Sequence, residues 1–563
     1  MKKQIVTLLL VTAILLLANI VGQFVYKKFD LTQDKRYTIT PANEKVVEEV
    51  GDIMFVRVLL DGTFPAGFRR LQTATVEMLN NFKRINPNIQ YTLDDPTAGN
   101  PDEVKARQEE LGKDGVFPTN LRVKDGTETK TKLIYPYVLV YYGSRMIPVN
   151  LLENAPEYDQ ETNLNNSIGL LEYKLANAID KIQKADKPII AFTTGHGELS
   201  QEQTRGFESI LREYYQIGRL KLDSLVSISQ ELSAVIIARP MMAFNDKEKF
   251  LLDQYVMNGG KLLFFIDRLR LSLDSVAKYP NYVPSDYELN LDDLLFKYGC
   301  RINPELILDL ECSRIPQVIG MTGDQPQIEL FPWYFHPLIS PEQDHPITKN
   351  LDRVNLLFPT TIDTVKTKST VKKVPLLTSS DYTRTQLIPA RVSFDILKYE
   401  PDPDKYNKGP QITGLLLEGE FTSLFENRLT RDNEILLESI GQEFRKSSVP
   451  NRILVVSDGD LPRSQYDRNA QRFSPLGFNK WENYTFKGNQ DFLLNAMEYL
   501  LNPDGVVNSR TKEVRLRLLD TVRTKNEKSY WQFFNIVLPV LFIAVFGFLF
   551  YILRIRKYAK KLR

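Results

Sequence analysis

Apolar positions along this chain fall into two kinds of pattern, unbroken and periodic. Two stretches are unbroken: Ile5 to Tyr26 (IVTLLLVTAILLLANIVGQFVY) and Trp531 to Leu553 (WQFFNIVLPVLFIAVFGFLFYIL) contain no charged residue. At about 1.5 Å per residue each is long enough to cross a hydrocarbon layer of roughly 30 Å. Both are expected to be transmembrane helices, anchoring the chain at both ends. Lys2 and Lys3 also suit a cleavable signal peptide, but the first run continues through Phe24-Val25-Tyr26 with no small-x-small site, which favours an uncleaved anchor.

Periodic patterns fill the interior. From Ile53 to Lys184 the spacing predicts a strand (IMFVRVLL), an amphipathic helix opened by Pro65 and running to Ile85, and a strand from Ile89 to Asp95. A helix (PDEVKARQEELG), two strands (TNLRVKDG, YPYVLVYYG) and a closing helix (NSIGLLEYKLANAIDKIQK) follow. The order β-α-β-α-β-β-α resembles the thioredoxin-like fold. The junction that carries Cys-x-x-Cys in such folds reads DGTFPAG here, Asp61 to Gly67, so no dithiol chemistry is expected.

A second alternating block follows the charged link QKADK. Strands IIAF, RLKLDSL and SAVIIARP, a helix from Glu202 to Tyr215, and a helix stopped at Gly259-Gly260 before the apolar strand KLLFFID predict a mainly parallel sheet covered on both faces. RILVVSDGD and the helix NQDFLLNAMEYLLN extend it. The turn-rich stretches Leu271 to Glu288 and Tyr399 to Gln411 read as surface loops. The expected organisation is an anchor (1–28), a thioredoxin-like α/β domain (29–185), a large α/β domain with insertions (186–505), a membrane-proximal stalk (506–530), a membrane helix (531–553) and a basic tail (554–563).

Charge then decides orientation. The tail RIRKYAKKLR is purely basic, and Lys2 and Lys3 agree with it, so both termini are expected in the cytoplasm and the body on the far side. With 72 basic against 70 acidic residues there is no field that would draw nucleic acid. Cys300 and Cys312 leave two readings open, a disulfide or two buried thiols. They supply no metal site, and His196, His336 and His345 lack ligand spacing.

In an open parallel sheet the loops leaving the carboxyl ends of strands converge on one edge. Four such loops carry Gly195-His196-Gly197-Glu198, Arg239, Asp267, and Asp458-Gly459-Asp460, a candidate ligand or interaction patch. FFIDRLRLS, after the glycine pair, offers Asp267 and no cysteine, and no Gly-x-Ser-x-Gly occurs, so no catalytic residue is assigned. Two readings of the glycine turn stay open: a tight strand-to-helix connection using positive φ, or a cradle for an anionic or polyol ligand. Either way His196 is read on a surface loop, where its loss removes chemistry without opening a cavity. Trp333, Tyr334 and Phe335, in ELFPWYFHPLI, read as an aromatic contact loop or as a plug for the protein's own core.

FTTGHGE, YVMNGGKLLFFID, DHPITKNL, LLEGEFTSLFENR, VVSDGD and NQDFLLNAMEYLL, with RTKEVRLRLLD before the last apolar run, resemble the GldG family. That family is an auxiliary, substrate-binding-type component encoded with an ABC transporter and linked to gliding motility in Bacteroidetes. The resemblance implies the inner membrane of a Gram-negative cell, a periplasmic body, a GldF-like permease and a GldA-like ATPase as partners, and no cofactor; a homodimer within that complex is compatible with it. It also implies a large domain related to the class I glutamine amidotransferase-like fold. The expected role is a non-enzymatic scaffold or coupling subunit. A solute-binding component is the alternative, and an amidotransferase-like or hydrolytic enzyme the third.

Overall fold

The computed structural model describes residues 38–559, apart from 63, 126–127, 154–158, 185–186, 324, 342–343, 430–442, 468–470, 503–504 and 512–525, together with positions 6, 10, 12–14 and 17. It divides into a body, residues 1–513, and a second unit, residues 514–563.

The body begins with an N-terminal domain whose four-stranded sheet is ordered β2-β1-β5-β6. Here β1 is Met54–Val58, β2 Ile89–Leu93, β5 Tyr137–Tyr142 and β6 Arg145–Asn150; β3 (Thr119–Asp125) and β4 (Glu128–Ile134) form a separate hairpin. β1 runs parallel to β2 and antiparallel to β5. The helix Ala66–Ile85 buries Phe68, Leu71, Thr75, Leu79 and Phe82, a three-and-four spacing that puts one stripe against the sheet. Each such large apolar side chain contributes about 1.5–3 kcal/mol. The closing helix is two helices, Gln160–Gly169 and Leu171–Gln183, hinged at Leu170.

The large domain is built on a seven-stranded sheet ordered β16-β18-β19-β10-β9-β7-β8. Five strands run parallel: β7 (Ile189–Thr194), β8 (Gln216–Lys221), β9 (Leu232–Ala238), β10 (Lys261–Phe265) and β19 (Asn451–Val456). β18 (Ile412–Gly419) runs against them and β16 (Val371–Thr378) reverses again. The inner strands are apolar throughout because both faces are covered. Val235, Ile237, Leu262 and Phe264 enter one core, while Ala234, Ile236, Leu263 and Phe265 enter the other. The helix Asp246–Met257 packs on the first side and Lys487–Leu501 on the second. The helix expected from Glu202 to Tyr215 is only Arg205–Leu211, because residues 201–204 are a turn and β8 starts at Gln216.

Between β10 and β18 lies an insertion of β11 (Cys300–Asp309), β12 (Cys312–Thr322), β13 (Gln325–Ile339), β14 (Val354–Asn355), β15 (Thr360–Thr364) and β17 (Thr383–Leu387), in two three-stranded sheets ordered β15-β11-β17 and β12-β13-β14. Cys300 and Cys312 open two of these strands as free thiols, and burial pushes both up to about 12.

Two features tie the domains together. Val506–Thr511, read from sequence as the start of a stalk, is a 3-10 turn whose Val506 and Val507 are buried in the N-terminal core. Glu498, on the last helix of the large domain, accepts from Tyr173 Oη at 2.6 Å and Asn177 Nδ2 at 3.1 Å and pairs with Lys181, all on Leu171–Gln183. Burial alone raises the Glu498 carboxyl, but the charge and hydrogen bond of Lys181 outweigh it and hold the group below its ordinary range.

The second unit contains the helix Lys528–Ala559, with Pro539 inside it. Among the described residues it is the one helix long and apolar enough to cross a membrane. Its apolar side chains, such as Ile543 and Phe546, lie exposed on its surface. Most of the expected N-terminal anchor and of the expected membrane-proximal stretch falls outside the described residues.

Candidate functional site

The strand order reverses at β7, which has β8 on one side and β9 on the other. Loops diverge at such a point and leave a crevice at the carboxyl edge. Gly195-His196-Gly197-Glu198 stands there, with Gly195 at φ 116° and Gly197 at φ 75°, conformations that favour glycine. On the β9 side the crevice is closed by protein. His196 O accepts from Met241 N at 2.7 Å and Met242 N at 3.0 Å, and Leu199 N donates to Ala238 O at 3.0 Å, so the loop after β9 lies on the loop after β7.

His196 is not on the surface: it is 6 % exposed. Its ring stacks on Phe244 at 3.9 Å and 11°. Nε2 lies 3.0 Å from Glu248 Oε2, and Nδ1 faces Glu198 Oε1 at 3.4 Å. Glu248 owes its position to a capping box at the start of Asp246–Met257, where Asn245 and Glu248 each accept the other's backbone N–H at 2.9 Å. Burial pulls the His196 ring down, but the bonds and charges of the two glutamates more than reverse this, so it titrates above its usual 6.5. Burial raises Glu198 in turn, and its bonds to His196 and backbone amides bring it below the usual range. The three groups form a buried clasp joining the loop after β7 to Asp246–Met257, the helix that follows β9.

The remaining patch residues form a second cluster. Arg239 takes a left-handed backbone, φ 55°, a conformation costing a non-glycine residue about 1–2 kcal/mol. From it Nε reaches Asp267 Oδ2 at 2.8 Å and Nη1 reaches Asp460 Oδ1 at 3.0 Å. Asp267 Oδ1 accepts from Gly459 N at 2.6 Å, while Asp458 accepts from Asp460 N at 2.8 Å and Leu357 N at 2.7 Å. A Cβ on Gly459 would stand 2.7 Å from Arg239 Cγ and 3.0 Å from Asp267 Cγ, so glycine is what lets the ion pair close over the turn. Burial, then the charge of Asp460, pushes Asp267 up; burial, then Asp267 and Asp460, pushes Asp458 well up. Burial opposes the Arg239 charge, and the two aspartates overcome it.

The loops named from the sequence share this edge, in two clusters whose pairings the sequence did not show. Glu248 and Phe244 were missed, although Asn245-x-x-Glu248 has capping-box spacing; Arg463, whose Nη1 also reaches Asp460 Oδ1 at 3.0 Å, left no sequence signal. Trp333, Tyr334 and Phe335 are not a contact loop. They lie in β13 at 0 %, 6 % and 1 % exposure, packed with Leu306, Leu308 and Val392 in the insertion's core. Two pockets adjoin the edge: one of about 240 Å³ beside Gly195, Gly197 and Arg219, and one of about 80 Å³ beside Asp458 and Asp460. Among the described residues no group of three or more His, Cys, Asp or Glu gathers in metal-binding geometry.

Residues 187–496, the whole of this sheet and its edge, match the family described as an ABC-type uncharacterized transport system. The chain belongs to that family. It is an ABC-transporter auxiliary protein, and the match covers both clusters at the sheet edge. Residues 33–141 match a domain of unknown function. An uncharacterized protein of Borreliella burgdorferi is 21 % identical over 419 residues, 73 % of this chain and 76 % of that one. Among solved structures, an IFT52 N-terminal domain is 12 % identical with a TM-score of 0.30, covering 56 % of this chain and 97 % of that one. A ThuA-like protein from Parabacteroides merdae is 12 % identical with a TM-score of 0.23, covering 59 % and 92 %. Scores this low decide nothing about the fold of this ABC-transporter auxiliary protein.

Proposed function

We propose that this auxiliary protein is a non-enzymatic scaffold or coupling subunit, holding a GldF-like permease and a GldA-like ATPase in an inner-membrane complex of the kind linked to gliding motility. The observation that carries this over an enzymatic reading is the occupation of the polar edge. His196 is held between Glu248 and Glu198, Arg239 is paired with Asp267 and Asp460, Asp460 is paired with Arg463 as well, and Asp267 and Asp458 accept from backbone amides. A general base or nucleophile needs a group free to meet substrate. The apolar helix Lys528–Ala559 followed by a basic tail supports a membrane-integral subunit with a cytoplasmic C-terminus and a periplasmic body. The order β2-β1-β5-β6 supports a thioredoxin-like N-terminal domain without dithiol chemistry, and the parallel run of the large sheet supports an amidotransferase-like framework.

Co-expression with such a permease and ATPase, followed by affinity purification in mild detergent, tests the reading. The three chains are expected to co-elute in fixed ratio. A permease and ATPase that assemble and transport at full rate without this chain would refute it.

A further inference from the structure

The 80 Å³ pocket opens where the turn after β19 meets the insertion. At roughly 30 Å³ per water it has room for two or three waters, or for two carbons bearing hydroxyls. Its wall includes His336, Asp460, Arg463 and Gln465, with Lys480 and Trp481 also lining it.

Two of these groups lack partners. His336 is 3 % exposed, and its Nε2 is buried with no hydrogen-bond partner among the described residues. Burial depresses that imidazole to about 3, so the ring is neutral and Nε2 either donates or accepts, according to tautomer. Arg463 spends Nη1 on Asp460, yet its Nε is also buried without a partner among the described residues. Unsatisfied polar atoms are uncommon in folded proteins, and a pair of them on one pocket wall marks a place where something else supplies the bonds.

The lining selects the chemistry. An oxyanion entering here faces the carboxylate of Asp460. A cation faces Arg463 and Lys480, whose Nζ sits 4.0 Å over the Trp481 ring. A hydroxyl meets neither penalty, because it donates to Asp460 or the Gln465 amide oxygen while accepting from Arg463, Lys480 or the Gln465 amide nitrogen. Trp481 is 40 % exposed and offers an apolar surface to a ring. We propose that this pocket binds the vicinal-diol edge of a sugar or polyol, with the remainder of the ring lying against Trp481. The site goes beyond the scaffold role and does not depend on it.

The test uses full-length protein in a detergent without a sugar headgroup, probed with D-glucose, D-mannose and myo-inositol, and with acetate and phosphate as anionic comparators. At least one polyol is expected to raise the melting temperature and shift tryptophan fluorescence saturably, well below concentrations at which sugars stabilise proteins by exclusion. Trp481→Ala and Gln465→Ala, at exposed and half-buried positions, are expected to melt normally without ligand and to weaken binding roughly tenfold or more, about 1.4 kcal/mol. No saturable response to any of the three polyols overturns the proposal, as does a response to acetate or phosphate alone, or a polyol response that both variants retain in full.

Discussion

Replacing His196 with alanine separates a structural clasp from a binding site. The substitution leaves Glu198 and Glu248 buried together without the ring between them, at side-chain exposures of 2 % and 5 %. Removing one partner from a buried ion pair costs about 3–5 kcal/mol. Loss of the stack on Phe244 adds about 0.5–1.5 kcal/mol, and protonation of one glutamate returns part of the sum. A net cost of about 3–4 kcal/mol, at roughly 2 °C per kcal/mol for a domain of this size, lowers Tm by about 6–8 °C. Gly197→Val is expected to destabilise as well, by about 1–2 kcal/mol of left-handed backbone strain before any crowding, since its Cβ would stand 3.2 Å from Met241 Cε and 3.3 Å from Met241 Cβ. The gap between wild type and His196→Ala also has a pH window. A raised histidine pKa contributes stability that is fully present below 6.5 and fades as pH rises through the folded value. A lowered glutamate pKa contributes above 4.5 and fades as pH falls through the folded value. The gap is therefore widest between 4.5 and 6.5 and shrinks on the alkaline side. Differential scanning fluorimetry across that range measures it. A His196→Ala protein that melts with wild type yet fails to support the transporter would refute the clasp.

Two further outcomes follow from burial. Lys181→Met strands Glu498 between the domains and is expected to cost about 3 kcal/mol, with the double variant Lys181→Met/Glu498→Gln recovering part of it; urea melts of the three proteins check this, and additive losses would contradict a coupled pair. Cys300 and Cys312, with thiols pushed up to about 12, are expected to resist iodoacetamide at pH 8 in the native protein and to react in guanidinium; native labelling of Cys300 at the rate of a small free thiol would contradict its burial.

Periodicity revealed β7, β9, β10 and β19 because a strand covered on both faces is apolar at every position. It hid β4 and β6. ETKTKLI alternates no apolar residues, and RMIPVN carries a proline at its centre. β18 joins the sheet antiparallel to its parallel run and β16 reverses again beside it, changes of direction that no local spacing announces. At the site, a strand end followed by glycine or aspartate located the loops. Whether His196 faces water or two glutamates depended on Glu248, some fifty residues on, and on how the helix it caps lies against the sheet. The same holds for WYF: three adjacent aromatics read alike as a platform or a plug until the strand that carries them is packed against β11.

Because Val506 and Val507 belong to the first core and not the second, the large domain is an insertion within the N-terminal one. The N-terminal core is incomplete until a turn arrives roughly 320 residues after Ile182, which at about 5–20 residues per second is a wait of some 16–64 s during synthesis. Through that interval the face awaiting Val506 and Val507 stays open beside a growing domain. Substitutions at those two valines are thus expected to act first on yield, through chains captured by chaperones or proteases before completion.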